Sequence, residues 1–222
     1  MDTDIRVKRR EKSNNIIESL GITCFRDLPL IEGSDEVKLK NVDQICKRAI
    51  AALLSIQLAC DIIEGNNYQE SKEYFLDLLD KFDVRDNLLY KERKLFDGDY
   101  TMQEAVDVSW TYECYWALCW ALGLINKMGF PSDVCNTKIA ISFVSICKDY
   151  NDFKRKVKLR DVEEILDMLD LYFRYHWACV EHEINGDAEI KDLNGEVVAE
   201  RRRGLEWLIK DEKDWNDITL NT

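Results

Sequence analysis

Glu113, Asp170, Arg174, His176, Arg201 and Arg202 are charged or titratable residues set among apolar neighbours at helical spacing. Brought together, such side chains do chemistry. An imidazole and a carboxylate move protons, and paired guanidiniums grip a small anion. Ser109, Glu113, Trp116 and Trp120 recur at i, i+4, i+7 and i+11, one stripe of a helix that sets Glu113 beside two tryptophans. A carboxylate there needs a partner or a proton. Asp167, Asp170, Arg174, Trp177 and Glu181 form a stripe on a second helix, with Asp170 and Arg174 spaced for pairing along it. His176 falls on the adjoining apolar stripe of Leu169, Tyr172, Phe173 and Val180. On a third helix Arg201 shares a face with Leu205 and Leu208, and Gly204 lets a neighbour approach closely.

One economical model joins these residues in a polar pocket lined by Trp116 and Trp177. Such a pocket would bind a small anionic ligand through two arginines, or use Glu113 and His176 as acid and base. The competing reading is an internal ion-pair network that fixes helix register. It is the favoured one, because buried carboxylate–arginine networks are common in helical proteins and need not add stability. His176 as a satisfied core histidine and the six tryptophans as core are also favoured, because such residues fill a core more often than they serve as a catalyst or a ligand cage.

The elements that must position these groups read as helices. There are only two prolines, Pro29 and Pro131, and nine scattered glycines, so long stretches lack breakers. Helices are expected at residues 6–20, 42–63 and 68–82, with short helical turns over 84–96. Thr101 and Glu104 have the form of a capping box opening a central helix that runs to about Asn126. The last long helix starts at Arg160 or Asp161 and reaches about Ile184, and a final one covers 199–209. Residues 22–37, with Leu28-Pro29-Leu30-Ile31, suggest an extended strap. Residues 135–150 fit a helix or a short strand, and Asn185-Gly186 and Asn194-Gly195 suggest a small hairpin around 188–198. The expected fold is all-α, a multi-helix bundle around a Trp-rich central helix, in one domain over residues 1–222.

Composition narrows the function. The net charge of −12 repels nucleic acid and anionic membrane and suits a basic protein partner. The basic stretches 154–160 and Arg6, Lys8, Arg9, Arg10 and Lys12 have little aromatic interleaving and read as solvated surface, so nucleic acid is a disfavoured partner. The apolar run 108–125 has the length of a membrane span, but Glu113 near its middle favours a buried bundle helix. The charged N-terminal stretch 1–15 lacks a secretory apolar region, and Cys60, Cys114, Cys119, Cys147 and Cys179 sit in apolar patterns. The expectation is a cytoplasmic protein with reduced cysteines. There is no G-x-G-x-x-G, Walker, G-x-S-x-G or H-E-x-x-H motif, no C-x-x-C pair, and no Glu three residues before His176 or His182. No metal site and no cofactor are therefore expected.

The ordered landmarks resemble a bacterial family known as domain of unknown function 4272. They are Arg10 to Gly21 with Leu28-Pro29-x-Ile31; Arg48-Ala49; Ser109-Trp110-x-Tyr112-Glu113-x-x-Trp116-x-Leu118-x-Trp120-Ala121-Leu122-Gly123; Asp170-Leu171-Tyr172-x-Arg174-x-His176-Trp177-Ala178; Glu200-Arg201-Arg202-x-x-Leu205-x-Trp207-Leu208; and Asp214-Trp215-x-Asp217-Ile218-x-x-Asn221-Thr222. Gly204 departs from an expected alanine and Asn221 from an expected acid. The resemblance implies a bacterial source and one whole-length domain, and it carries no activity or catalytic residue. The expected function is a binding module for a protein or small ligand, for example an immunity-type inhibitor of a basic toxin. The alternative is an enzyme or sensor acting on a small anionic ligand at the polar cluster.

Overall fold

A computed structural model describes residues 4–222; Met1 to Thr3, the start of the charged N-terminal stretch, lie outside the described residues. The apolar periodicity resolves into ten α-helices, and the described residues contain no strand. They are α1 Ile5–Ser19, α2 Val42–Glu64, α3 Tyr68–Lys81, α4 Tyr90–Asp97, α5 Met102–Trp110, α6 Tyr112–Ala121, α7 Thr137–Ser145, α8 Tyr150–Lys154, α9 Val162–Asn185 and α10 Gly195–Ile209. Two 3-10 turns, Arg85–Asn87 and Trp215–Asp217, complete the set. The all-α expectation holds, and residues 135–150 are helical.

The chain forms two compact units, each assembled from separated segments. The first comprises the stretch ending at Leu39, Met128–Val134 and Arg160–Thr222, and so holds α1, α9 and α10. Here α9 packs against both α1 and α10. The extended strap is tied down by the Thr23 amide on the Glu189 carbonyl at 2.8 Å, and Leu28 is buried. The second comprises Lys40–Lys127 and Cys135–Leu159, with α2 as its hub against α3, α4, α5, α6 and α8. Ile45, Ala49, Ala52, Ile56 and Ala59 on α2 have no exposed surface, as an apolar stripe on three- and four-residue spacing requires. Asn41 and Gln44 exchange side-chain-to-amide bonds at 3.0 and 2.9 Å and start that helix.

Two expectations are corrected. The central helix is not continuous. It breaks between α5 and α6 at Thr111, where the Ser109 and Thr111 hydroxyls each donate at 2.7 Å to the carbonyl three residues back. Such bonds compete with the helical ladder. Nor does it reach Asn126: Gly123, at φ +71°, ends it, and a Cβ there would meet the Lys158 carbonyl oxygen at 2.5 Å. The hairpin is also absent, because both Asn-Gly pairs serve helix ends. Gly186, at φ +74°, caps α9, and the Asn194 side chain accepts the amides of Glu196 and Val197 at 3.1 and 3.3 Å to open α10. No helix among the described residues is long and apolar enough to cross a membrane.

Candidate functional site

The first unit contains Asp170, Arg174, His176 and Trp177 on α9 and Arg201 and Arg202 on α10; the second contains Glu113 and Trp116 on α6. Within the first unit, Arg174 and Asp170 lie one turn apart with side chains 0% and 1% exposed. They form a bidentate pair, Nε and Nη2 each 2.9 Å from a carboxylate oxygen. The third nitrogen, Nη1, is buried without a hydrogen-bond partner. Arg174 also draws the nearby Cys24 thiol downward, but burial outweighs it and holds that thiol up at about 11.

Arg202 donates to Nδ1 of His176 at 2.7 Å, to the Asn221 carbonyl at 2.9 Å and to Glu206 at 3.4 Å. A guanidinium has no lone pair to offer, so Nδ1 is the acceptor and the neutral ring carries its proton on Nε2. Burial, then the charges of Arg202 and Arg203, lower the His176 pKa to about 4. Burial also lowers the Arg202 pKa and raises that of Glu206. The Phe173 ring joins the two groups, its centroid 5.9 Å from the Arg174 guanidinium carbon and 4.8 Å from that of Arg202.

Arg201 enters the core as its helical face implies, 2% exposed. It donates to the carbonyls of Met128, Gly129 and Asp133 and to the Tyr172 hydroxyl at 3.2 to 3.4 Å, which moors the Met128–Val134 segment to α10 and α9. Trp177 is half-buried. In the second unit Glu113 is 1% exposed and accepts the Cys135 amide at 2.5 Å, while Trp116 stacks on Phe143 with centroids 6.4 Å apart. No three His, Cys, Asp or Glu side chains among the described residues converge to hold a metal ion.

Sequence reasoning missed two buried arginines. Arg9 was placed on solvated surface, yet it is 2% exposed and donates to Glu163 at 2.5 Å and to Asp167 and the Glu32 carbonyl at 3.2 Å. Arg48 on α2 forms a bidentate pair with Glu92 on α4, at 2.6 and 2.8 Å, and bonds the Asn87 carbonyl. Arg48 lies between Ile45 and Ala52 on the apolar stripe, so the criterion that singled out Glu113 applies to it as well. Four of the five basic residues of the stretch 154–160 have acidic partners: Lys154 pairs with Asp43, Arg155 and Lys156 share Asp152, and Arg160 pairs with Glu164.

The model of the family described as "Domain of unknown function (DUF4272)" matches residues 9–218. No curated protein and no solved structure matches the chain.

Proposed function

This chain belongs to the DUF4272 family, and on that premise we propose that it is a non-catalytic binding module whose partner is a basic protein. The observation that carries this reading is that the residues suited to chemistry are engaged with one another. Arg174 is held by Asp170 out of solvent, and His176 is kept neutral as an acceptor for Arg202. A base with a pKa near 4 and a lone pair already occupied is a poor proton acceptor at neutral pH. These groups hold α9 and α10 as a scaffold.

The surface suited to recognition lies elsewhere. Residues 61–107 carry thirteen acidic and six basic side chains, more than half of the net charge of −12. On α3, Glu70, Tyr74 and Asp77 follow at i, i+4 and i+7 and are exposed, Tyr74 by 60%. An exposed tyrosine flanked by carboxylates supplies an aromatic anchor and an attractive field for a cationic partner. An immunity-type inhibitor of a basic toxin is one form such a module takes. The test is immobilised full-length chain against a lysate of its source, then reconstitution with the purified retained protein. The reading expects a basic partner bound one-to-one, weakened about tenfold or more by Tyr74→Ala with Asp77→Lys and weakened by added salt. A partner indifferent to that variant and to salt would contradict it.

A second reading, a sensor for a small anion, is favoured by one observation: Nη1 of Arg174 and Nε of Arg202 are both buried without hydrogen-bond partners. A thermal-shift titration with inorganic phosphate tests it. Phosphate at 100 times its dissociation constant adds about 2.7 kcal/mol of stability, and the gain must vanish in Arg174→Lys.

A further inference from the structure

Three elements of the second unit, α3, the Arg85–Asn87 turn and α4, enclose a cleft of about 390 Å³. Its floor is apolar, formed by Leu76, Leu88 and Phe96, the last two buried. Its walls carry charge of both signs. The turn contributes Arg85 and Asp86, α4 contributes Arg93 and Asp97 one turn apart, and α3 contributes Lys72. Arg85 is bound to Asp80 at 2.9 Å. Lys72, Arg93, Asp86 and Asp97 make no ion pair among the described residues, although they line one cleft. Everywhere else on α4 the charges are paired: Lys91 with Asp107, Glu92 with Arg48, Lys94 with Glu104.

The walls are held from outside the cleft. The Tyr68 hydroxyl, at the start of α3, donates to the Leu95 carbonyl at 2.7 Å and pins that end to α4. Arg48 reaches from α2 to the Asn87 carbonyl on one wall and to Glu92 at the base of the other. Glu92 in turn accepts the Leu89 amide at 2.8 Å. The buried ion pair thus ties the Arg85–Asn87 turn to α4 and fixes the separation of those two walls.

We infer that this cleft binds a small zwitterion with an apolar body, the chemical class of an apolar dipeptide. Its anionic end meets Lys72 and Arg93, its cationic end meets Asp86 and Asp97, and its side chains cover Leu76, Leu88 and Phe96. An anion alone would leave Asp86 and Asp97 facing it, and a cation alone would face the unpaired Lys72 and Arg93. A ligand bearing both charges answers the whole lining. The volume lies within the usual range for small-molecule sites, about 300–1,000 Å³. The inference goes beyond the protein-binding reading and stands without it.

The experiment is isothermal titration of the full chain with four probes: leucyl-phenylalanine, its N-acetylated form, its C-terminal amide, and glycyl-glycine. The expected result is that leucyl-phenylalanine binds and each other probe binds at least tenfold more weakly. Arg93→Ala and Asp97→Ala, both at exposed positions, each weaken leucyl-phenylalanine at least tenfold while the melting temperature is unchanged. Arg155→Ala, remote in sequence and exposed, leaves binding as it was. The inference is overturned by no heat from leucyl-phenylalanine at millimolar concentration, by equal binding of either capped form or of glycyl-glycine, or by binding that the two cleft variants do not alter.

Discussion

Asp170 with Arg174 on α9, and Arg202 with Glu206 on α10, each join residues four apart within a helix of the first unit, whereas Arg48 in the second unit reaches partners 39 and 44 positions further along the chain. An intrahelical pair fixes two rotamers and says little about what packs against the helix. A long-range pair fixes the distance between elements. In the first unit that second task falls to Arg201, which gathers three loop carbonyls, to Arg9, which joins α1 to α9, and to the remaining bonds of Arg202, which reach His176 on α9 and the Asn221 carbonyl. Both units bury charge at a desolvation cost that pairing offsets only when every hydrogen bond is made.

The largest effect that sharpens this comparison is removal of one partner. Arg48→Met strands Glu92 in a buried site, and Arg174→Met strands Asp170; each loses about 3–5 kcal/mol in urea denaturation. The double replacements then separate the units. Asp170→Leu with Arg174→Met returns to within about 1 kcal/mol of the parent, since the bidentate hydrogen bonds run only between the two members of the pair. Arg48→Met with Glu92→Leu leaves the Asn87 carbonyl and the Leu89 amide unbonded and falls short of that recovery by about 2 kcal/mol. Equal recovery in the two units would break the comparison.

Smaller effects test the elements that carry the pairs. Gly123→Ala, at φ +71° and against the Lys158 carbonyl, costs about 2 kcal/mol by the same assay. Asn194→Ala removes the cap of α10 and costs about 1 kcal/mol. The last is a pH effect. The His176 pKa is lowered from 6.5 to about 4 in the folded chain, so the unfolded chain binds the extra proton between those values. His176 therefore contributes stability that is full above pH 6.5 and lost as pH falls toward 4. The raised Glu206 pKa acts with the opposite sign, costing stability as pH rises. Comparison of the parent with His176→Gln isolates the histidine: the melting-temperature gap between them changes between pH 7 and pH 5, against the parent.

What was legible follows from the range of the interactions. Helix periods, the Thr101 capping box and the Asp170–Arg174 spacing are local, and the structure contains each of them. The Thr111 break was not legible, because two hydroxyl bonds to the preceding turn, from Ser109 and Thr111, mark it within an apolar run. The Asn-Gly pairs fit a hairpin turn and a helix cap equally well, and only the packed helices on either side choose between them. Glu92 carries no sign in sequence that its partner is Arg48, and the cleft walls come from segments that only the fold brings together. The family match covers residues 9–218 and confirms the resemblance carried by those landmarks.

The central claim, that the acid, arginine and histidine residues of the first unit are scaffold and not catalytic equipment, is tested most directly by NMR titration of the His176 ring in the full chain, with His176→Gln to assign it. The account predicts a ring that stays neutral, protonated on Nε2, down to a midpoint near pH 4. A midpoint at or above the ordinary 6.5, or a proton on Nδ1, would show an imidazole free of Arg202 and available for proton transfer, and would contradict it.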